Sequence, residues 1–344
     1  MNESLRVACL GAGYFAQFQH KAWQRIEQCT LVGVCDSEVV RAQGSGVAAY
    51  AELVDMLRCV KPDILDIATP PSTHSQAITT AIEEGVKTVI CQKPFCENLQ
   101  QGTSIVAQAD SAGVLLVIHE NFRFQPWFRK IKGLLDEQLI GEVHQACFRL
   151  RTGDGQGPHA YLERQPYFQT MQRFLVHETA VHYIDTFRYL FGEARAVYAD
   201  LSQRNPAISG EDAGVIIFDF PEQLQATFDG NRHLDFAASN TRLTFGDFQV
   251  EGPKGALTLH GDGRVMHRAH GTTKKRTLLE PQDWQGFAGD CVYALQQHVV
   301  SHLIDGTLLE NTGADYLYVL QLEQKIYESH EKSAKLLLDF KGKN

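Results

Sequence analysis

Between an apolar run, Leu5 to Leu10, and a helix-like stretch that starts at Ala16, the chain reads Gly11-x-Gly13-x-x-Ala16. Gly11 permits a tight turn from strand to helix, Gly13 lets the backbone approach a pyrophosphate, and Ala16 keeps helix and strand close. With Tyr14 and Phe15 filling the turn, the helix N-terminus faces phosphate oxygens. In this strand-to-helix context the spacing predicts a dinucleotide site, and such a site sits in a parallel sheet.

The next hundred residues have the rhythm of such a sheet. Short β-rich runs, "TLVGVCD", "DILDIAT", "KTVICQKP" and "VLLVIHENF", alternate with helical patterns such as "AELVDMLRCV", "SQAITTAIEEGV" and "QQGTSIVAQADSAG". Alternation of this kind is the βαβ signature of a sheet covered on both faces. It stops near Phe122. Beyond it come the amphipathic "PWFRKIKGLLDEQL", a strand-like "EVHQACFRLR", a Gly-rich polar stretch from Thr152 to His159 and the helical "FLVHETAVHYIDTFRYLFG". Then "ARAVYADLS", "AGVIIFDF", "LQATFDG", "RLTFGDFQVEG" and "ALTLHG" follow at turn-length spacing, which predicts an antiparallel sheet. Helical patterns at 283–304 and 313–335 close the chain. The expectation is an α/β protein: a Rossmann doubly wound domain over residues 1–122, then an α/β domain over 123–344.

A chain of 344 residues is long enough for two cores. Its 32 basic and 41 acidic residues give a net charge of −9, which opposes phosphate backbones and anionic membranes. A small molecule is therefore the expected partner, with no nucleic acid and no membrane. The eight cysteines include no C-x-x-C pair and fit core thiols in a reducing compartment better than disulfides or zinc. "MNESLRVACLGAG" enters the first strand without a basic and apolar leader, so a cytoplasmic location is expected.

Asp36 ends the second strand pattern, 23 residues past Gly13, where an acid accepts from the adenine ribose hydroxyls. It would repel a 2′-phosphate, and Ser37 and Glu38 offer no cation to offset it, so NAD is favoured over NADP. Arg41 is the nearest contrary signal. Ligands of open α/β sheets lie outside the carboxyl ends of the strands. That rule places Thr69, Pro70, Pro71 and His74 of "ATPPSTH", then Gln92 and Lys93, then Asn121, beside the cofactor.

In "LVHETAVHYID", Glu178 and His182 stand at i,i+4 and Asp185 follows His182 at i+3, so a regular helix presents all three on one face. A carboxylate beside an imidazole orients the ring and suits a general base near neutral pH. His177 and His182 are five apart, not the four of H-E-x-x-H, so no metal is expected.

In the order and spacing of these motifs, the chain resembles the glucose-fructose oxidoreductase and inositol dehydrogenase (Gfo/Idh/MocA) family over nearly its whole length. The likeness rests on Gly11-x-Gly13-x-x-Ala16, "ATPPSTH", Lys93-Pro94, "NFRFQP" from Asn121 to Pro126, and the helix with Glu178, His182 and Asp185. It implies a large open antiparallel sheet in the second domain, NAD(P)-dependent redox chemistry on sugars or polyols, and a homodimer or homotetramer. Two departures stand out. Gln92 replaces the usual glutamate before Lys-Pro and removes a negative charge beside Lys93. Glu178 and Ala180 replace the usual Asp-x-Gly, with one more methylene on the carboxylate.

The expected chemistry is hydride transfer from a sugar hydroxyl carbon to NAD, at the anomeric carbon of an aldose to give the lactone. His182 is the expected base, with Glu178 orienting it, and Lys93 would stabilise negative charge developing on the reacting oxygen. Arg123 and Gln125, then Tyr161, Arg164 and Tyr167, then Asn231, Arg232 and His233 are candidate sugar contacts. A glycoside hydrolase that oxidises transiently with NAD, and a non-catalytic NAD- or sugar-sensing regulator, are the rival readings.

Overall fold

A computed structural model describes residues 4–338. Six parallel strands form the first sheet: β1 (Leu5–Leu10), β2 (Cys29–Cys35), β3 (Ala49–Tyr50), β4 (Ile64–Ile67), β5 (Thr88–Gln92) and β6 (Leu115–His119). Their spatial order is β3-β2-β1-β4-β5-β6, so the order reverses between β1 and β4. Every residue of β4 and β5 is buried, as expected of strands covered on both faces.

The second sheet has nine strands: β7 (Gln145–Leu150), β8 (Ala196–Ser202), β9 (Ala213–Asp219), β10 (Gln225–Asn231), β11 (Gly246–Gly252), β12 (Gly255–Leu259), β13 (Val265–Ala269), β14 (Lys275–Leu279) and β15 (Leu336–Leu337). It runs β14-β13-β12-β11-β7-β10-β9-β8-β15. All pairs are antiparallel except β7 with β10. Strands β13 and β14 escaped the sequence reading because "VMHRA" and "KRTLL" carry charge on too many positions for alternation to show. One face of the sheet packs on the helices Pro126–Asp136 and Val181–Phe191 through an aromatic core. Phe148 lies 4.0 Å from Tyr183, and Phe187 lies 5.8 Å from Phe218, between ring centroids.

The chain forms two compact units, residues 1–121 with 292–320 and residues 122–291 with 321–344. The expected boundary assigned 292–320 to the second domain, whereas these residues cluster with the first. Hydrogen bonds explain it. Asn311 accepts from the Ile118 amide at 2.8 Å and donates through Nδ2 to the Glu120 carbonyl at 2.7 Å. Gln296 reaches the buried Asp66 of β4 at 3.1 Å. The helix expected from 283 starts only at Cys291, because Ala288, Gly289 and Asp290 take left-handed backbone conformations. Among the described residues no helix is long and apolar enough to cross a membrane.

Candidate active site

The first unit builds a turn whose geometry fits a dinucleotide. Gly11 has φ +105°, and a Cβ there would stand 2.7 Å from the Ala68 carbonyl oxygen. Only glycine allows β1 to turn this close to the end of β4. Gly13 differs: a Cβ there would meet nothing within 4 Å, so no protein atom fills the space over that backbone. The carboxylate of Asp36 folds back over the turn, with Oδ2 accepting from the Ala12 amide at 2.8 Å and Oδ1 from Glu38 at 2.9 Å. Arg41, the contrary signal for NADP, is paired with Glu38 at 2.8 Å on the exposed surface. Tyr14 and Phe15 both pack on Phe18, and Ala16 is fully buried at the helix start.

The loops after β4 and β5 meet at His74. This fully buried imidazole lies with Nε2 2.8 Å from the Thr69 carbonyl and Nδ1 3.2 Å from that of Phe95. Burial lowers its pKa, while the backbone carbonyls pull the other way. Both ring nitrogens of His74, expected beside the cofactor, face backbone carbonyls of the loop at Thr69 and of the segment after Lys93, and the neutral ring donates to one of them at a time. Thr69 also shares a hydroxyl contact of 2.7 Å with Thr73. Gln92 accepts from the Lys93 amide through Oε1 at 2.9 Å, which fixes its flip. Its Nε2 and the Nδ2 of Asn121 are buried donors without a protein partner among the described residues. Lys93 itself is partly exposed at the end of β5.

The second unit gathers four of the expected residues around Arg232, whose side chain is only 6% exposed. Its Nε donates to the Tyr161 hydroxyl at 2.8 Å, Nη1 to Thr179 Oγ1 at 2.5 Å and Glu178 Oε2 at 3.3 Å, and Nη2 to Asp154 Oδ2 at 3.3 Å. Its guanidinium also sits 5.0, 5.8 and 4.9 Å from the ring centroids of Tyr161, Phe168 and Phe174. Arg164 joins through Asp154 Oδ2 at 3.0 Å, and Tyr167 packs edge-on against Phe168. Burial works against the Asp154 charge, but Arg232, with bonds from Thr152 and Arg164, outweighs it and holds the carboxyl at about 2. Burial raises the Tyr161 phenol, with the Arg232 cation opposing.

Asp154 and Thr179 were not anticipated. A lone acid in "TGDGQGP", ahead of two arginines, was the available signal for Asp154; Thr179 gave none.

The helix with Glu178, His182 and Asp185 is not regular. Residues Leu175–Ala180 form a π-helical turn, and the α-helix starts at Val181. A wider turn changes the angular spacing across 178–182 from that of the uniform helix expected. Each side chain has a defined surrounding. Glu178 accepts from Thr179 Oγ1 at 2.6 Å and from Arg232. His182 stacks on Phe122 with centroids 3.8 Å apart and planes 5° from parallel. Asp185 holds Arg123 in a fork, at 2.7 Å to Nε and 2.5 Å to Nη2.

Arg123 is a buried partner of Asp185, and Asn231 closes a local turn, its Oδ1 accepting from the amides of His233 and Leu234 at 2.9 and 3.2 Å. His233 pairs with Asp212, His177 with Glu323, and Gln125 accepts from the Trp127 indole.

Comparison with known proteins decides the relationship. The profile described as "Oxidoreductase family, NAD-binding Rossmann fold" matches residues 5–120, and the GFO/IDH/MocA C-terminal domain matches residues 128–258. The chain belongs to the Gfo/Idh/MocA family. Its first unit is accordingly an NAD-binding Rossmann domain. Among relatives of this Gfo/Idh/MocA protein, D-apiose dehydrogenase of Paraburkholderia graminis is 29% identical over 334 residues, covering 94% of this chain and 86% of the relative. D-apiose dehydrogenase of Rhizobium rhizogenes is 27% identical over 335 residues, covering 94% and 95%. The stretches "HENFRFQPW", "GPHAYLERQPYFQ" and "FDGNRHLD" suggest the same closer likeness. A solved oxidoreductase from Agrobacterium radiobacter, in complex with NAD+, L-tartaric acid and magnesium, superposes with a TM-score of 0.87. It is 25% identical and covers 97% of this chain and 98% of its own.

Proposed function

We propose that this protein is an NAD-dependent carbohydrate dehydrogenase that oxidises an aldose at its anomeric carbon to the lactone, with a pentose-sized or branched sugar preferred. NAD, when bound, supplies the acceptor for hydride. The observation that carries the redox reading is the turn after β1, where an open backbone at Gly13 and a carboxylate at Asp36 meet the strand-order reversal between β1 and β4. Gly11, Gly13 and the start of the helix at Ala16 would hold the pyrophosphate, and Asp36 the adenine ribose. Tyr14, Phe15, Thr69, Pro70, Pro71, Gln92 and Asn121 would line the remainder.

Oxidising a hemiacetal carbon removes one proton from oxygen and one hydride from carbon. An imidazole nitrogen of His182 takes the proton, and its ring is kept in one plane by the stack on Phe122. Lys93 places positive charge against the oxygen as it loses that proton, an effect that grows where water is excluded. Glu178, held by Arg232 and Thr179, supplies the negative charge that favours the imidazolium. Tyr161, Arg164, Tyr167 and Arg232 shape the sugar site of the second unit. The sugar assignment and the size preference draw support from the two D-apiose dehydrogenases.

A panel of apiose, arabinose, xylose, galactose and glucose, run beside inositol with NAD and followed by NADH absorbance, tests the reading. Turnover of aldoses with a pentose or apiose leading is expected. Activity confined to inositol refutes the anomeric assignment, equal rates on all aldoses remove the size preference, and release of nitrophenol from a nitrophenyl glycoside of the same sugars without net NADH favours the hydrolase.

A further inference from the structure

Resting on the reaction just proposed, we infer that Asp154 determines substrate charge: by neutralising Arg164 and Arg232 it restricts the site to uncharged sugars and excludes uronates, aldonates and sugar phosphates. Sites for anionic sugars use arginine forks open to the ligand. Here the arginines near the candidate sugar contacts are already matched to carboxylates. Arg164 pairs with Asp154, Arg232 with Asp154 and Glu178, Arg151 with Asp229, and Arg123 with Asp185.

Arg232 is the decisive case, because all three of its nitrogens are engaged and aromatic rings enclose its guanidinium. An anionic group reaching this cluster must break an existing pair and leave a buried carboxylate uncompensated, which is strongly unfavourable. A hydroxyl both donates and accepts, so it can bond to the outer lone pairs of Asp154 or Glu178 without changing the charge balance.

The test compares sugars that keep the anomeric centre and carry a carboxylate in place of the C6 hydroxymethyl group: galactose with galacturonate, and glucose with glucuronate. In the wild type, kcat/KM for each uronate is expected to be at least about a hundredfold below its parent aldose, the discrimination of a site whose polar groups are left mismatched. Asp154→Asn uncovers positive charge and should narrow that gap at least about tenfold, through a lower KM for the uronate. A merely loosened loop would raise KM for both sugars alike. Should Asp154→Asn fail to fold by circular dichroism, Arg164→Gln decides, since removing a cation must preserve or widen the gap. A wild type that handles uronates as well as aldoses overturns the inference, as does a folded Asp154→Asn with an unchanged gap or an Arg164→Gln that narrows it. If no sugar is oxidised, the proposed reaction fails by itself. Calorimetric affinities of the NADH-loaded protein for galactose and galacturonate then judge the inference alone, and tighter uronate binding contradicts it.

Discussion

Individual residues carry the chemistry, and several can be tested one at a time. Lys93→Ala and His182→Ala should each lower kcat by at least about a hundredfold, the scale of losing a positioned acid-base or electrostatic group. Dissociation constants for NAD, read by fluorescence titration, should change far less; near-normal turnover in either variant removes that residue from the mechanism. Gly13→Ala is a sharper probe of the cofactor site, because a Cβ there meets no protein atom within 4 Å. Its thermal midpoint should match the wild type while NAD affinity falls at least about tenfold, since only a close pyrophosphate needs that space. Asp36→Ala should narrow the preference for NAD over NADP in the same titration, and equal affinities in the wild type would show that Asp36 does not set it. The turn at Gly11 and Gly13 was legible from its spacing after an apolar run; the roles proposed for Lys93 and His182 rest on these variants. The partners of Arg123 and Asn231, Asp185 and a local turn, were not legible, because such side-chain bonds depend on the folded chain.

At the scale of elements, β4, the helix Ala16–Trp23 and the helix Cys291–Asp305 are joined through one buried carboxyl. Asp66 accepts from Trp23 Nε1 at 2.7 Å, Gln19 Nε2 at 3.0 Å and Gln296 Nε2 at 3.1 Å. Burial pushes its pKa up to about 7, with the bonds from Trp23 and Gln296 restraining the rise. The folded state therefore holds a proton that the unfolded state releases near the ordinary carboxyl value. The resulting stabilisation is present in acid and is lost as pH rises toward 7, with a slope of up to about 1.4 kcal/mol per pH unit. Asp66→Asn removes the titration. The thermal midpoint of the wild type minus that of Asp66→Asn should be larger at pH 5 than at pH 8, and a pH-independent difference would contradict the assignment. Element types were largely legible from periodicity, but the π-turn at Leu175–Ala180 was not. Nothing in "LVHETA" departs from helical propensity, and the clasp of Arg232 on Glu178 and Thr179, 53 residues and more away in sequence, is a tertiary constraint.

For the whole molecule, the alternation of strand and helix gave away the parallel sheet, and turn-length spacing gave away the antiparallel one. The return of residues 292–320 to the first unit could not be read that way, because it depends on side-chain bonds such as Gln296 to Asp66 and Asn311 to Glu120. The same holds for the cluster at Arg232, whose members lie in separate stretches from Asp154 to Arg232 and meet only through folding. The central claim is that a hydride leaves the anomeric carbon of an aldose for NAD. Incubating the protein with NAD and the best aldose carrying deuterium at C1, and weighing the reduced cofactor by mass spectrometry, tests it most directly. One deuterium in each reduced nicotinamide and an unlabelled lactone are expected; reduced cofactor without deuterium, with the label retained in the sugar product, would rule out C1 as the hydride donor.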